Sequence, residues 1–152
     1  MILSIGPRSD GIIPDEVKHL LLEMGKWLSV NGEAIYGTTP WIYYGEGPTK
    51  LINTHAFSEL DKLKYTGEDF RFTLKDNALY AICLGKPGKR MVIKTLYPYL
   101  YKDEIASVEL LCYKGKLKWT FDERGLLVEM PDDLPDDYAY SLKIVRNNML
   151  RS

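Results

Sequence analysis

The sequence predicts a mainly β protein, an antiparallel β-sandwich preceded by one strand–helix unit. Three observations carry that expectation. The apolar period changes from about 3.6 to 2 just beyond Gly37, short alternating runs then recur between turn residues, and eleven tyrosines weight the composition toward strands.

The first unit is short. Ile2-Leu3-Ser4-Ile5 reads as a buried strand and Gly6 to Gly11 as the loop that follows it. From Pro14 to Val30 the apolar residues Val17, Leu20, Leu21, Met24, Trp27 and Leu28 fall three and four apart, the stripe of an amphipathic helix. Pro14 suits its first turn, Asp15 and Glu16 face the positive end of the dipole, and Asn31-Gly32 is expected to supply a left-handed stop.

Strands follow. Phe70, Phe72 and Leu74 alternate with polar neighbours, and Asp76-Asn77 is a two-residue turn tolerant of left-handed backbone. Residues 78–84, 91–96, 107–112, 117–121, 126–130 and 139–145 are further strands, with an acidic loop over 131–137. Taking alternate positions, the predicted core is Phe70, Phe72, Leu74, Tyr80, Ile82, Val108, Leu110, Leu117, Trp119, Phe121, Val128, Leu142 and Ile144. A single βα unit cannot bury itself as an α/β domain, so the chain is expected to begin inside a larger parent. A strand cut from a parallel sheet exposes its edge, and two chains pairing these N-terminal strands as a homodimer would cover it.

With 20 basic against 21 acidic side chains there is no net cationic surface for phosphates, so nucleic acid is not an expected partner. No run of about 18 apolar residues offers a helical membrane span. Two cysteines, Cys83 and Cys112, give no disulfide framework. His19 and His55 lack a third ligand at metal spacing, so neither a metal nor a cofactor is expected. Gly85-Lys86-Pro87-Gly88-Lys89 reads as a turn because a phosphate loop would need glycine at position 83 and a following helix. Gly45-Glu46-Gly47-Pro48 reads as a linker or tight turn, and Glu68-Asp69 beside Arg71 as a local ion pair. The many acidic doublets lie in polar loops or at the helix start, and no catalytic residue is assigned. Trp41, Tyr43 and Tyr44, and the tyrosines 97, 99 and 101 around Pro98, are candidates for stacking on the apolar face of a sugar. Trp41 and Tyr43 are the assigned carbohydrate-binding residues, with packing between helix and sandwich as the competing role.

A longer pattern runs through the chain. Ile5-Gly6-Pro7 with Asp10-Gly11, Asn31 to Gly37, Pro40-Trp41, Tyr44 to Thr49, Tyr65-Thr66, Arg71-Phe72-Thr73, Leu79 to Ile82 and Leu117-Lys118-Trp119 appear in an order that resembles the end of the α-L-fucosidases of glycoside hydrolase family 29. Ser4, Thr39 and Lys86 depart from the family's usual asparagine, arginine and tryptophan. The resemblance implies that residues 1–40 are the terminal strand and helix of a truncated (β/α)8-like catalytic barrel and residues 41–152 a C-terminal β-sandwich. It implies retaining hydrolysis by an aspartate nucleophile and a glutamate acid/base about 5 Å apart, both upstream of this chain. The chain alone would then be non-catalytic. Its partners would be the catalytic barrel and, in the parent, a fucosylated glycan; many such parents are exported. A stand-alone carbohydrate-binding module and a purely structural or assembly domain are the rival readings.

Overall fold

The structure, a computed structural model, describes residues 5–50, 64–98, 103–135 and 138–147. Among the described residues, one helix, α1 (Asp15–Asn31), and a 3-10 turn (Gly32–Ala34) precede eight strands. These are β1 (Thr39–Glu46), β2 (Phe70–Lys75), β3 (Ala78–Cys83), β4 (Arg90–Ile93), β5 (Ile105–Leu110), β6 (Trp119–Asp122), β7 (Gly125–Glu129) and β8 (Tyr140–Arg146). They form a five-stranded sheet in the order β1-β2-β3-β8-β5 and a three-stranded sheet in the order β4-β7-β6, antiparallel throughout.

The main core lies between the sheets. Phe70, Phe72, Leu79, Ala81 and Cys83 face Met91, Ile93, Leu126 and Val128, with Val108, Leu110, Leu142 and Ile144 completing it. The expected register therefore holds on β2, β5, β7 and β8, and Leu74, Leu117, Trp119 and Phe121 pack half-buried at its margin. On β3 the phase is reversed: Tyr80 and Ile82 point away from the sandwich, toward the helix, in a second cluster with Ala34 and Ala78. The reason is that β3 is buried at all six positions. A strand covered on both faces is apolar throughout, so alternation carries no phase.

Three other expectations change. The helix does not end in left-handed backbone at Gly32, which has φ −61° and ψ −23°. The Tyr36 ring lies over Gly32, and a Cβ there would meet that ring at 2.8 Å. The left-handed residue is Gly37, at φ +68°. The second change is that residues 39–46, read as turn-rich, form β1. Pro40 is tolerated there because, among the described residues, β1 is the edge strand of its sheet. Its register against β2 shifts between Pro40 and Gly45, which breaks the alternation that identifies a strand. The third is the Glu68-Asp69 pairing with Arg71. Asp69 instead accepts from Thr49 N (2.9 Å), Thr49 Oγ1 (2.8 Å), Thr66 N (2.7 Å) and Thr66 Oγ1 (2.9 Å), while Glu68 pairs with Lys94. The strand expected over residues 2–5 lies almost wholly outside the described residues, and Ile5 is exposed and in no strand.

Asp76 does adopt the left-handed turn conformation expected of it, at φ +53°. Two carboxylates close the irregular connections. Asp69, buried, fastens the backbone at Thr49 to that at Thr66, and Gly47 (φ +141°) passes so close that any Cβ would strike its carboxylate. Glu46, at the end of β1, accepts from Lys94 N (2.8 Å), Thr95 N (2.6 Å) and Thr95 Oγ1, tying one sheet to the other.

Two measurements check this packing. Phe72→Ala should destabilise the fold by about 3–5 kcal/mol in urea denaturation, the cost of a buried ring and its cavity; an unchanged midpoint would place the ring outside the core. Burial raises the Asp69 pKa, but its four hydrogen bonds outweigh that and hold it below the ordinary carboxylate value. A depressed folded pKa contributes stability that is fully present above the unfolded value, about 3.9, and is lost as pH falls through the folded value. Asp69→Asn should therefore cost about 1–3 kcal/mol at neutral pH and flatten the acid limb of the stability curve below about pH 4. An acid limb identical to the parent chain's would remove Asp69 from this role.

Candidate functional site

Two surfaces carry the features that bear on function, and both lie outside the sandwich core. The first is the seam where α1 and the 3-10 turn meet the outer face of the five-stranded sheet. Trp27, from the apolar stripe of the helix, donates Nε1–H to Ala139 O at 2.8 Å, and Thr73 Oγ1 donates to Ala34 O at 2.7 Å. Between them Glu33 Oε1 accepts from Tyr80 OH at 2.7 Å and from Lys143 Nζ at 2.5 Å. The Lys143 hydrogen bond, followed by that of Tyr80, lowers the Glu33 pKa. Burial, followed by the bond to Glu33, pushes the Tyr80 phenol well above the usual tyrosine range. Both shifts hold Glu33 as the acceptor and Tyr80 as the donor in this contact, so the set serves as structural hydrogen bonds.

Beside the seam an open groove of about 430 Å³ is lined by apolar side chains. Met24, Trp27 and Leu28 from α1 form one wall, and Ile82, Leu84 and Ala139 form the other. Arg71, Ile35 and Tyr138 also border it. Among the described residues the helix's hydrogen bond to the sandwich comes from Trp27, near its C-terminal end, while Leu20 and Leu22 are exposed.

The second surface is the edge strand β1. Trp41, expected to present a ring to sugar, is only 9% exposed. It packs inward edge-on to Phe72, with ring centroids 5.2 Å apart. Tyr43 stands edge-on to Trp41 at 5.4 Å and is 52% exposed, while Ile42 and Tyr44 are 83% and 74% exposed. Tyr97 is exposed, and residues 99 and 101 lie outside the described residues. The two candidates of the sequence are thus in contact, but one belongs to the core and the other to the surface.

The sequence reading missed Arg71 as a partner of this edge. Arg71 Nη1 donates to Phe70 O at 2.8 Å, and the guanidinium lies 5.8 Å from the ring centroids of both Tyr44 and Tyr65. The Tyr43-Tyr44 doublet and the outward phase of Arg71 on β2 are both visible in the sequence. Their meeting depends on the register shift in β1, which is not.

Other chemistry is sparse. Burial pushes the Cys83 thiol up to about 11, the opposite of an activated nucleophile. His55 lies outside the described residues, and His19 is exposed on the helix. Among the described residues no three His, Cys, Asp or Glu side chains converge as metal ligands.

Comparison with known proteins bears on both surfaces. The sequence profile described as the α-L-fucosidase C-terminal domain matches residues 63–145, and that described as α-L-fucosidase matches residues 1–33. The tissue α-L-fucosidase of Macaca fascicularis is 32% identical over 148 residues, which are 94% of this chain and 27% of that protein. The human tissue enzyme is 31% identical over the same length and coverage. Among solved structures, the α-fucosidase of Thermotoga maritima superposes with a TM-score of 0.68 at 29% identity, over 95% of this chain and 30% of that one. The chain thus spans little more than a quarter of the length of the curated relatives it matches. With more than half its length inside that C-terminal profile, the chain belongs to the α-L-fucosidase family, and residues 63–145 are that family's C-terminal domain.

Proposed function

We propose that the chain is the non-catalytic C-terminal part of a retaining α-L-fucosidase-like glycoside hydrolase, its sandwich buttressing a catalytic barrel and helping to shape the substrate entrance. The observation that carries this reading is where its carboxylates are spent. Retaining hydrolysis needs two carboxyl groups about 5 Å apart across an open cleft, one to attack and one to protonate the leaving oxygen. Here Glu33 is bound to Tyr80 and Lys143, Glu46 to Lys94 and Thr95, Asp69 to two threonines, Glu104 to Arg146 and Asp122 to Arg124. Each is committed to a hydrogen bond or ion pair, and none of the five lines the apolar groove.

The groove supports the buttressing role. Its walls combine helix residues matched to the α-L-fucosidase profile with sheet residues of the C-terminal domain. A catalytic barrel seated against that helix would bury Met24, Leu28 and Leu84, each side chain worth about 1.5–3 kcal/mol when fully covered. The entrance role rests on the exposed edge of β1 beside it.

The 152-residue chain, assayed with an aryl α-L-fucoside, should show no turnover above the uncatalysed background. Turnover that disappears when one of the chain's own acids is replaced by its amide would overturn the non-catalytic reading.

A further inference from the structure

We propose that Tyr43, Tyr44 and Arg71 form an accessory carbohydrate site on the edge of the sandwich, taking one pyranose ring of a glycan. Only the class of ligand rests on the reading of the chain as part of a glycan hydrolase; the site itself rests on geometry. A pyranose presents an apolar C–H face and a rim of hydroxyls, so a site for it needs an exposed ring beside directed hydrogen-bond donors. Tyr44 and Tyr43 supply exposed rings on a strand that, among the described residues, forms the edge of its sheet. Arg71 supplies the donors. One nitrogen is committed to Phe70 O, and the guanidinium is held over the Tyr44 and Tyr65 rings, leaving the rest of its five-donor fork for a ligand.

The ion pairs among the described residues engage Lys26, Lys94, Arg124, Lys143 and Arg146 and leave Arg71 without a carboxylate partner. The fork is therefore available to neutral hydroxyl oxygens. The platform is also rigid. Tyr43 rests on Trp41, and Trp41 on Phe72, so the chain of edge-to-face rings ends in the sandwich core. Edge strands usually carry charges or prolines that discourage contact. Between Pro40 and Glu46, which guard its two ends, β1 exposes the uncharged run Ile42, Tyr43 and Tyr44, a patch open to contact.

The test is a titration of the isotope-labelled 152-residue chain with 2′-fucosyllactose, lactose and L-fucose, followed by amide shifts. Binding by one or two rings without a deep cleft gives dissociation constants in the millimolar range. Shifts are expected at residues 42–46 and at Arg71, for 2′-fucosyllactose and for whichever of its two components fills the site. Tyr44→Ala, which removes an exposed side chain and should leave the thermal midpoint unchanged, is expected to weaken binding about fivefold. Arg71→Lys, which keeps the charge and loses the planar fork, should weaken it similarly, and Tyr113→Ala, at an exposed tyrosine elsewhere, should not. No shift up to about 50 mM of any of the three sugars, shifts confined to other residues, or undiminished binding by Tyr44→Ala would overturn the proposal. None of these results alters the outcome of the aryl fucoside assay, so the two readings fall separately.

Discussion

Burial of β3 on both faces is the constraint from which the rest of the structure follows. An isolated sandwich needs one apolar face on each sheet, but Ala78–Cys83 is closed off on both. Leu79, Ala81 and Cys83 complete the sandwich core, and Ala78, Tyr80 and Ile82 require a second layer that the smaller sheet cannot provide. The helix and its 3-10 turn are that layer. Tyr80 also brings a hydroxyl into the seam, and a buried hydroxyl without an acceptor costs on the order of 1–3 kcal/mol. Glu33 supplies the acceptor, and Lys143 on the adjacent strand β8 supplies its countercharge. The seam is therefore polar at the 3-10 turn and apolar along the helix. It covers the sheet incompletely and leaves the groove open.

The carboxylates in this fold do mechanical work. Asp69 and Glu46 each accept backbone N–H groups from irregular segments that belong to no ladder, and so satisfy donors that would otherwise be stranded at the end of the sandwich. Charge-assisted bonds of this kind are stronger than neutral ones, which suits places where the chain crosses between sheets. The same commitments tie Asp69 of the Glu68-Asp69 doublet and Glu104 of the Asp103-Glu104 doublet into structural contacts. The aromatic edge is the complementary case: its rings face the core at Trp41 and solvent at Tyr44, on opposite faces of the strand.

Much of the architecture was legible because it rests on period and turn chemistry. The phases of β2, β5, β7 and β8, the Asp76 turn and the extent of α1 all follow from local pattern. The family itself was legible in the order of short motifs from Ile5 to Trp119. Three things were not, each for a physical reason. The phase of β3 is hidden because both of its faces are apolar. β1 is masked by Pro40 and Gly45, residues that an edge strand with a register shift tolerates and a central strand does not. The partners of Asp69, Glu46 and Arg71 lie up to 49 residues away in sequence, and nothing local names them. Trp41, a sugar-surface candidate by its position, turns inward against Phe72, as the regular pairing of Thr39 and Pro40 with Leu74 and Thr73 dictates once β1 is known to be a strand.

The central claim is that the helix is attached to the sandwich through a narrow seam anchored by Trp27 rather than along its whole length. Amide hydrogen exchange on the chain and on its Trp27→Ala variant tests this most directly, because exchange reports the opening of each element separately. The account predicts that the substitution abolishes protection across α1, and weakens it at Tyr80 and Ile82, while the amides of β7 and β8 keep the protection set by the sandwich core. Unchanged protection of α1, or a uniform loss across both sheets, would contradict it.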